Sequence, residues 1–242
     1  MRWSSNPPAG KPVAPEVHIW RARLDAPDLP QEDLNRLLTE EERDRAGRFR
    51  FDVLRRRYTA SRAVLRILLS RYLDISAPEI AIVYNAHGKP ELLDRGLELQ
   101  FNLTHAADMA VYAFATGRRV GVDIEEMSRD VSFRALAARF FSHDERAVID
   151  SLPDEDVRTA FYECWTRKEA YIKALGLGVT HGLDNFSVAI GAHVRPALLH
   201  SDVDEDAPRK WGMCAFDPAD GFVGAVVVEG VDCVLKGFEV ST

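Results

Sequence analysis

A chain of 242 residues is ample for a sizeable core, and length alone leaves open one large domain or two small ones. Hydrophobic residues make up 46% and charged residues 29%, and a formal net charge of -7 argues against a general affinity for nucleic acid while leaving room for a local basic site. Three cysteines, Cys164, Cys214 and Cys233, form no CxxC pair, which argues against a cysteine-built zinc site and for a reducing compartment.

Residues 1–15, rich in Pro, Ser and Gly, predict a flexible leader with no apolar secretory run. No stretch is apolar over the length that spans a bilayer, so a cytoplasmic protein without membrane contact is expected. Val17 to Leu24 alternates as a strand does, and Pro27 to Pro30 breaks it. Thr39 followed by Glu42 forms the signature of a capping box at a helix start. Val64, Leu65, Leu68 and Leu69 sit at helical spacing within a long basic helix from Arg55 to Tyr72. A short strand from Ile80 to Tyr84 and a loop from Asn85 to Pro90 follow. Phe101 to His105 and Ala110 to Ala115 read as two strands joined by a turn around Ala107 and Asp108.

Val120 to Glu125 is a strand with an acidic end. Helices are predicted over Phe133 to Phe141, Asp144 to Leu152 and Val157 to Leu175, the last ended by Gly176. Strands follow at Phe186 to Ile190, Trp211 to Phe216 and Phe222 to Val228. Thr59 to Arg66 parallels Thr166 to Lys173, each in a long helix followed by a strand and a strand–turn–strand. The expected fold is α+β, with two similar α/β halves related by a pseudo-twofold axis and the active site in the cleft between them. The halves are placed at residues 16–120 and 121–242, the second carrying the candidate metal-binding carboxylates Asp123, Glu125 and Glu169.

Four features carry chemistry. Asp123 and Glu125, two apart on a strand, point to one face, and paired carboxylates suit a hard divalent cation such as magnesium. The bland alternative is a strand end running into solvent. Trp165, Glu169 and Lys173, spaced by four, share a helix face. Glu169 is a candidate third carboxylate of a metal site and Lys168 and Lys173 are candidates to hold phosphate oxygens; the alternative is an exposed ion pair beside a core tryptophan. His105, beside Thr104, and Lys89 are candidates for phosphate contacts, although a lone histidine is more often structural. Arg43, Arg45, Arg48, Arg50, Arg55, Arg56, Arg57 and Arg62 are dense for an acidic protein; most read as a solvated face, and a subset suits a phosphomonoester.

In order, Gly88-Lys89-Pro90, Phe101-Asn102-Leu103-Thr104-His105, Gly121-Val122-Asp123-Ile124-Glu125 and Trp165 through Lys173 resemble the motifs of the Sfp-type 4'-phosphopantetheinyl transferases. Phe140-Phe141-Ser142 and the basic stretch from Glu40 to Phe49 also look like family segments. The resemblance implies transfer of the 4'-phosphopantetheinyl group from coenzyme A to a serine of an apo acyl or peptidyl carrier protein, with magnesium, by a monomer. It assigns Asp123, Glu125 and Glu169 to the metal, Glu169 also as general base, and Lys168 and Lys173 to the pyrophosphate, with Lys173 catalytic. It assigns Thr104, His105, Arg45 and Arg57 to the 3'-phosphate, with threonine where the family usually has serine, and Lys89 and Pro90 to the adenine loop. Glu42 stands where some relatives have lysine. Exposed members of the segment Met127 to Phe140, with Arg129, Arg134 and Arg139 among Phe133, Leu136 and Phe140, are expected to touch the carrier. A magnesium-dependent nucleotide hydrolase and a non-catalytic carrier-binding module are the competing readings.

Overall fold

A computed structural model describes residues 1–27, 29–94, 96, 98–128, 131–177, 182–191 and 194–240. The first half supplies β1 (Trp3–Ser4), β2 (Glu16–Arg23), α1 (Gln31–Leu37), α2 (Glu40–Gly47), α3 (Asp52–Leu73), β3 (Ile82–Tyr84), β4 (Pro90–Leu92), β5 (Leu99–Ala106) and β6 (Met109–Thr116). The second supplies β7 (Val120–Glu126), α4 (Phe133–Phe140), α5 (His143–Ser151), α6 (Asp154–Leu175), β8 (Phe186–Val188), β9 (Leu198–Ser201), α7 (Ala207–Lys210), β10 (Trp211–Phe216), β11 (Phe222–Glu229) and β12 (Val234–Glu239).

Local signals explain the helix ends. Thr39 and Glu42 exchange side-chain and backbone hydrogen bonds at the start of α2, and Ser142 and Glu145 do the same at α5. Gly176 closes α6 at φ 74°, a left-handed conformation that costs glycine nothing.

The two halves repeat one topology. In the first, β6 is central, antiparallel to both β2 and β5, and α3 covers the sheet; in the second, β11 is central, antiparallel to both β7 and β10, under α6. Each half carries a two-stranded hairpin after its long helix, β3–β4 and β8–β9, and α3 and α6 are both 22 residues long. The likeness between residues 59–66 and 166–173 falls on these two helices, at different distances from their starts.

The sheets pack face to face. Met109, Val111, Ala113 and Ala115 of β6 meet Val120, Val122 and Ile124 of β7 and Val226 and Val228 of β11 in one core. The alternate residues of β6, Ala110, Tyr112 and Phe114, turn instead into the core beneath α3. By the same alternation Gly121, Asp123 and Glu125 face away from the sheet–sheet core, and this brings two carboxylates under α6.

Two expectations change. The leader is tied down: β1 pairs parallel with β12, and Trp3 packs edge-on against Phe216 with ring centroids 6.2 Å apart. The last strand returns to the first half, because β12 pairs parallel with β2 and buries Phe238 against Trp20, 4.9 Å between ring centroids. Among the described residues no helix is long and apolar enough to cross a membrane.

Candidate active site

The seam between the halves is built by β5, β7 and α6. β5 is an edge of one sheet and β7 an edge of the other. Buried Asn102 on β5 joins them, its Oδ1 accepting the Val122 N–H at 2.9 Å. Helix α6 lies directly on β7 because Gly121 has no side chain: a Cβ there would stand 2.1 Å from the Ala170 carbonyl oxygen and 2.3 Å from the Ala174 nitrogen. Along β7, Gly121 meets Ala170 and Ala174, Asp123 meets Lys173, and Glu125 lines a cavity with Trp165 and Tyr162, so strand and helix run in opposite senses.

Three side chains from three elements close on one another there. Lys173 Nζ on α6 lies 2.6 Å from Asp123 Oδ1 on β7 and 3.1 Å from Thr104 Oγ1 on β5. The Thr104 hydroxyl donates to the same Asp123 oxygen at 3.1 Å. Asp123 is 5% exposed, and its other oxygen, Oδ2, is buried without a hydrogen-bond partner. A buried carboxylate oxygen with no donor is costly unless something positive reaches it. Glu169, one turn before Lys173, is half-buried; desolvation pushes its carboxyl up, opposed by Lys173 and reinforced by the Asp123 charge. Exposed His105, next to Thr104, is held below the usual histidine range by desolvation in the cleft and then by Lys173, Arg62 and Arg57.

The chain is similar to proteins of known kind. Residues 119–227 match the 4'-phosphopantetheinyl transferase superfamily, and residues 30–117 match the 4'-phosphopantetheinyl transferase N-terminal family. The chain belongs to the 4'-phosphopantetheinyl transferase superfamily. It is 38% identical over 230 residues to the 4'-phosphopantetheinyl transferase HetI of Nostoc sp. (strain PCC 7120), covering 94% of each chain. It is 29% identical over 177 residues to the 4'-phosphopantetheinyl transferase Sfp of Bacillus subtilis (strain 168), covering 72% of this chain and 77% of that one. A solved holo-(acyl-carrier-protein) synthase from Bacillus anthracis, in complex with CoA (3',5'-ADP), is similar at 22% identity and a TM-score of 0.34, over 46% of this chain and 94% of that one.

The remaining predicted residues of this transferase fall in several places. Lys168 is a correction. It is fully buried, 2.7 Å from Glu145 Oε1 and 2.5 Å from the Phe186 carbonyl oxygen, on the side of α6 away from the seam. Residues five apart on a helix differ by about 140° in direction, so Lys168 and Lys173 serve different faces. Lys89 sits at the seam's edge, with its ammonium donating to the carbonyls of Lys173, 2.7 Å, and Val120, 3.1 Å. It therefore ties the Asn85–Lys89 loop to the end of α6, where a cation is favoured, and burial lowers it to about 8. Pro90 is buried at the start of β4, a strand where the sequence suggested only loop.

Arg57 is held bidentately by Asp25 at 2.6 and 2.7 Å, which raises the arginine and lowers the aspartate. Arg45 lies over the rings of Tyr58 and Tyr84, 5.7 and 5.9 Å from their centroids. Glu42 is buried and paired with Arg66 at 2.6 Å, so it is a structural anion.

In the segment expected to meet the carrier, Arg129 lies outside the described residues. Arg134 is committed to the carbonyls of Ile149 and Leu152 and to Asp154, tying α4 to the end of α5. Phe133, Leu136 and Phe140 are half-buried and line, with Phe161, Trp165 and Glu125, an apolar cleft of about 160 Å³ beside the carboxylates. Arg139 is exposed over Phe140, 5.0 Å from its ring centroid.

Sequence reasoning quoted Asn102 and Gly121 within its motifs but missed them as the residues that join the two sheets and seat α6. A polar residue inside an alternating strand and a glycine inside an apolar one were the available signals.

Proposed function

We propose that this chain transfers the 4'-phosphopantetheinyl group of coenzyme A to a serine hydroxyl of an apo carrier protein, releasing 3',5'-adenosine bisphosphate. The observation that carries the reading is the contact of Thr104, Asp123 and Lys173 across the seam, in a chain whose two halves both match this superfamily.

Magnesium fits the residues present. Among the described residues no group of three His, Cys, Asp or Glu side chains stands ready as a cage. Magnesium does not require one, since it keeps waters and takes phosphate oxygens alongside one or two carboxylates. The unpartnered Oδ2 of Asp123 is a donor of the right hardness. Asp123, Glu125 and Glu169 would hold the ion, which when bound would neutralise charge building on the pyrophosphate.

The chain's own groups account for the rest. Lys173, held by Asp123 and Thr104, presents a fixed ammonium where a pyrophosphate oxygen gains charge. The serine oxygen bonds to the pantetheine-bearing phosphorus as the bond to the bridging pyrophosphate oxygen breaks, and the serine proton passes to Glu169. Its raised carboxyl is a better proton acceptor near neutrality than an ordinary glutamate. The apolar cleft of Phe133, Leu136, Phe140 and Trp165 opens beside Glu125 and supports docking of the carrier there.

The test is an incubation of the protein with coenzyme A, magnesium and an apo carrier protein, read by intact mass. One phosphopantetheinyl group should be added, and chelator should abolish the addition until magnesium is restored. Release of nucleotide without carrier would identify a hydrolase, and no change in either would leave a binding module.

A further inference from the structure

Two thiols lie together outside the seam. Cys214 stands on β10 and Cys233 in the connection just before β12, 19 residues apart in sequence. Both are half-buried, whereas Cys164 is fully buried and burial pushes its thiol well up. The Cys214 Sγ donates to the Cys233 carbonyl oxygen at 2.8 Å, and the two thiols hydrogen-bond each other. Sulfurs in that contact hang from Cβ atoms that already face one another, which is what a disulfide needs if the backbone is not to move.

The backbone on each side is fixed. β10 is the outer strand of the β10–β11–β7 sheet. Alternation turns Gly212, Cys214 and Phe216 toward the sheet–sheet core, opposite to Trp211 and Met213, which pack under α6. Cys233 packs on the same core as Phe216. The chain from Gly230 onward lies against this face. Trp211 and Gly230 form a bridge, and the Gly230 N–H donates to the Lys210 carbonyl at 2.7 Å. A Cβ on Gly212 would stand 2.8 Å from the Gly230 carbonyl oxygen and 3.0 Å from that of Val231. Glycine at 212 therefore admits the segment, and the approach carries Cys233 to Cys214, two residues along the same face. Arg118 holds the segment from its other side, donating to the carbonyls of Glu229 and Asp232 at 3.2 and 3.0 Å. Past Cys233, the Val234 N–H donates to the Pro15 carbonyl at 3.2 Å, and β12 begins its pairing with β2.

The Cys233 hydrogen bond holds the Cys214 thiol below the usual cysteine range, against desolvation and with help from the Arg195 charge; the same contact and burial push Cys233 up. Cys214 is thus the thiol that attacks and Cys233 the one that resolves.

We propose that Cys214 and Cys233 form a dithiol site that a low-molecular-weight disulfide oxidises to an intramolecular disulfide, a redox-sensitive latch between the outer strand of the second-half sheet and the chain returning to the first half. The Cys214 sulfur bonds to one sulfur of the small disulfide, whose S–S bond breaks and releases one thiolate. The Cys233 sulfur then bonds to the Cys214 sulfur as the second small thiolate leaves. The two cysteine protons pass to the two released thiolates, so two electrons move from the cysteine pair to the small disulfide and two small thiols form. The latch uses no group of the transferase site.

The experiment incubates the full chain, reduced and freed of reductant, with glutathione disulfide under native conditions. Intact mass and a melting curve are read first; free thiols are then alkylated in denaturant and the peptides mapped without reduction. The chain should lose two hydrogens and retain no glutathione. One crosslink should join the peptides of Cys214 and Cys233, with Cys164 recovered alkylated. The melting temperature should rise by roughly 6–12 °C, as for closure of a loop of this length, and dithiothreitol should reverse the rise. Cys214→Ser should abolish both crosslink and rise; should it fail to fold, Cys233→Ser and the wild-type map carry the comparison. Glutathione retained without a crosslink, a crosslink to Cys164, or thiols left unmodified would overturn the dithiol site. A Cys214–Cys233 crosslink that leaves the melting curve unchanged would overturn the latch.

Discussion

Gly121→Ala tests the contact that positions the whole site. The added methyl would meet backbone atoms of α6, at 2.1 Å from the Ala170 oxygen and 2.3 Å from the Ala174 nitrogen, and no flexible side chain stands between them to give way. Reaching an ordinary separation of 3.4 Å from that oxygen requires about 1.3 Å of movement between strand and helix. Overpacking of this kind costs about 1–3 kcal/mol, and a backbone-to-backbone clash belongs at the upper end. For a chain of this size about 3 kcal/mol corresponds to a fall of roughly 6–12 °C in melting temperature. The same movement would carry Lys173 and Glu169 away from Asp123, whose bond to Lys173 is now 2.6 Å. A displacement of about 1 Å at a reacting centre can cost ~100-fold in rate. Thermal melting and single-turnover transfer to an apo carrier measure the two effects. Gly47→Ala is the control, since nothing lies within 4 Å of that Cβ and its backbone is helical, and it should be neutral or slightly stabilising. Wild-type stability and transfer in Gly121→Ala would refute the close docking of α6 on β7 as the device that aligns the site.

Glu169→Gln should lower single-turnover transfer by roughly 10²–10⁴-fold with coenzyme A affinity nearly intact; full rescue by high magnesium would show a ligand and refute the base. The same variant should stabilise the metal-free protein in chelator at neutral pH. A carboxyl raised by folding binds its proton more tightly in the native state, so stability falls as pH rises through its folded value. The gain should therefore vanish as pH drops to the ordinary glutamate range, and a gain that persists there would contradict the desolvation argument. Lys168→Met removes the partner of buried Glu145 and should cost about 3–5 kcal/mol. Two backbone N–H donors, from Ser142 and Val188, still serve Glu145 and place the loss at the lower end. Denaturant melts measure that loss. Calorimetry on the folded variant should find coenzyme A affinity unchanged, and a weakened affinity would return Lys168 to the site.

What the sequence determined by itself was set by neighbours along the chain. The capping box at Thr39 and Glu42, the glycine stop at Gly176 and the alternation of β7 all stand as read. Alternation put Asp123 and Glu125 on one face, and helical spacing put Glu169 and Lys173 on another, because both periods are fixed by backbone geometry within a few residues. The helical period also separates Lys168 from Lys173, a signal that was present and unused. Tertiary structure decided which face met which. That Lys173 reaches Asp123 and Thr104, while Lys89 ends on the carbonyls of Lys173 and Val120, depends on elements 31 to 84 residues apart. The capture of Arg57 by Asp25 and of Glu42 by Arg66, and the return of β12 to β2, likewise join distant segments. Local propensity carries no information on such pairings. They are selected by the joint burial of both sheets and both long helices, and Gly121, by letting α6 approach β7 at backbone distance, is where that selection fixes the chemistry.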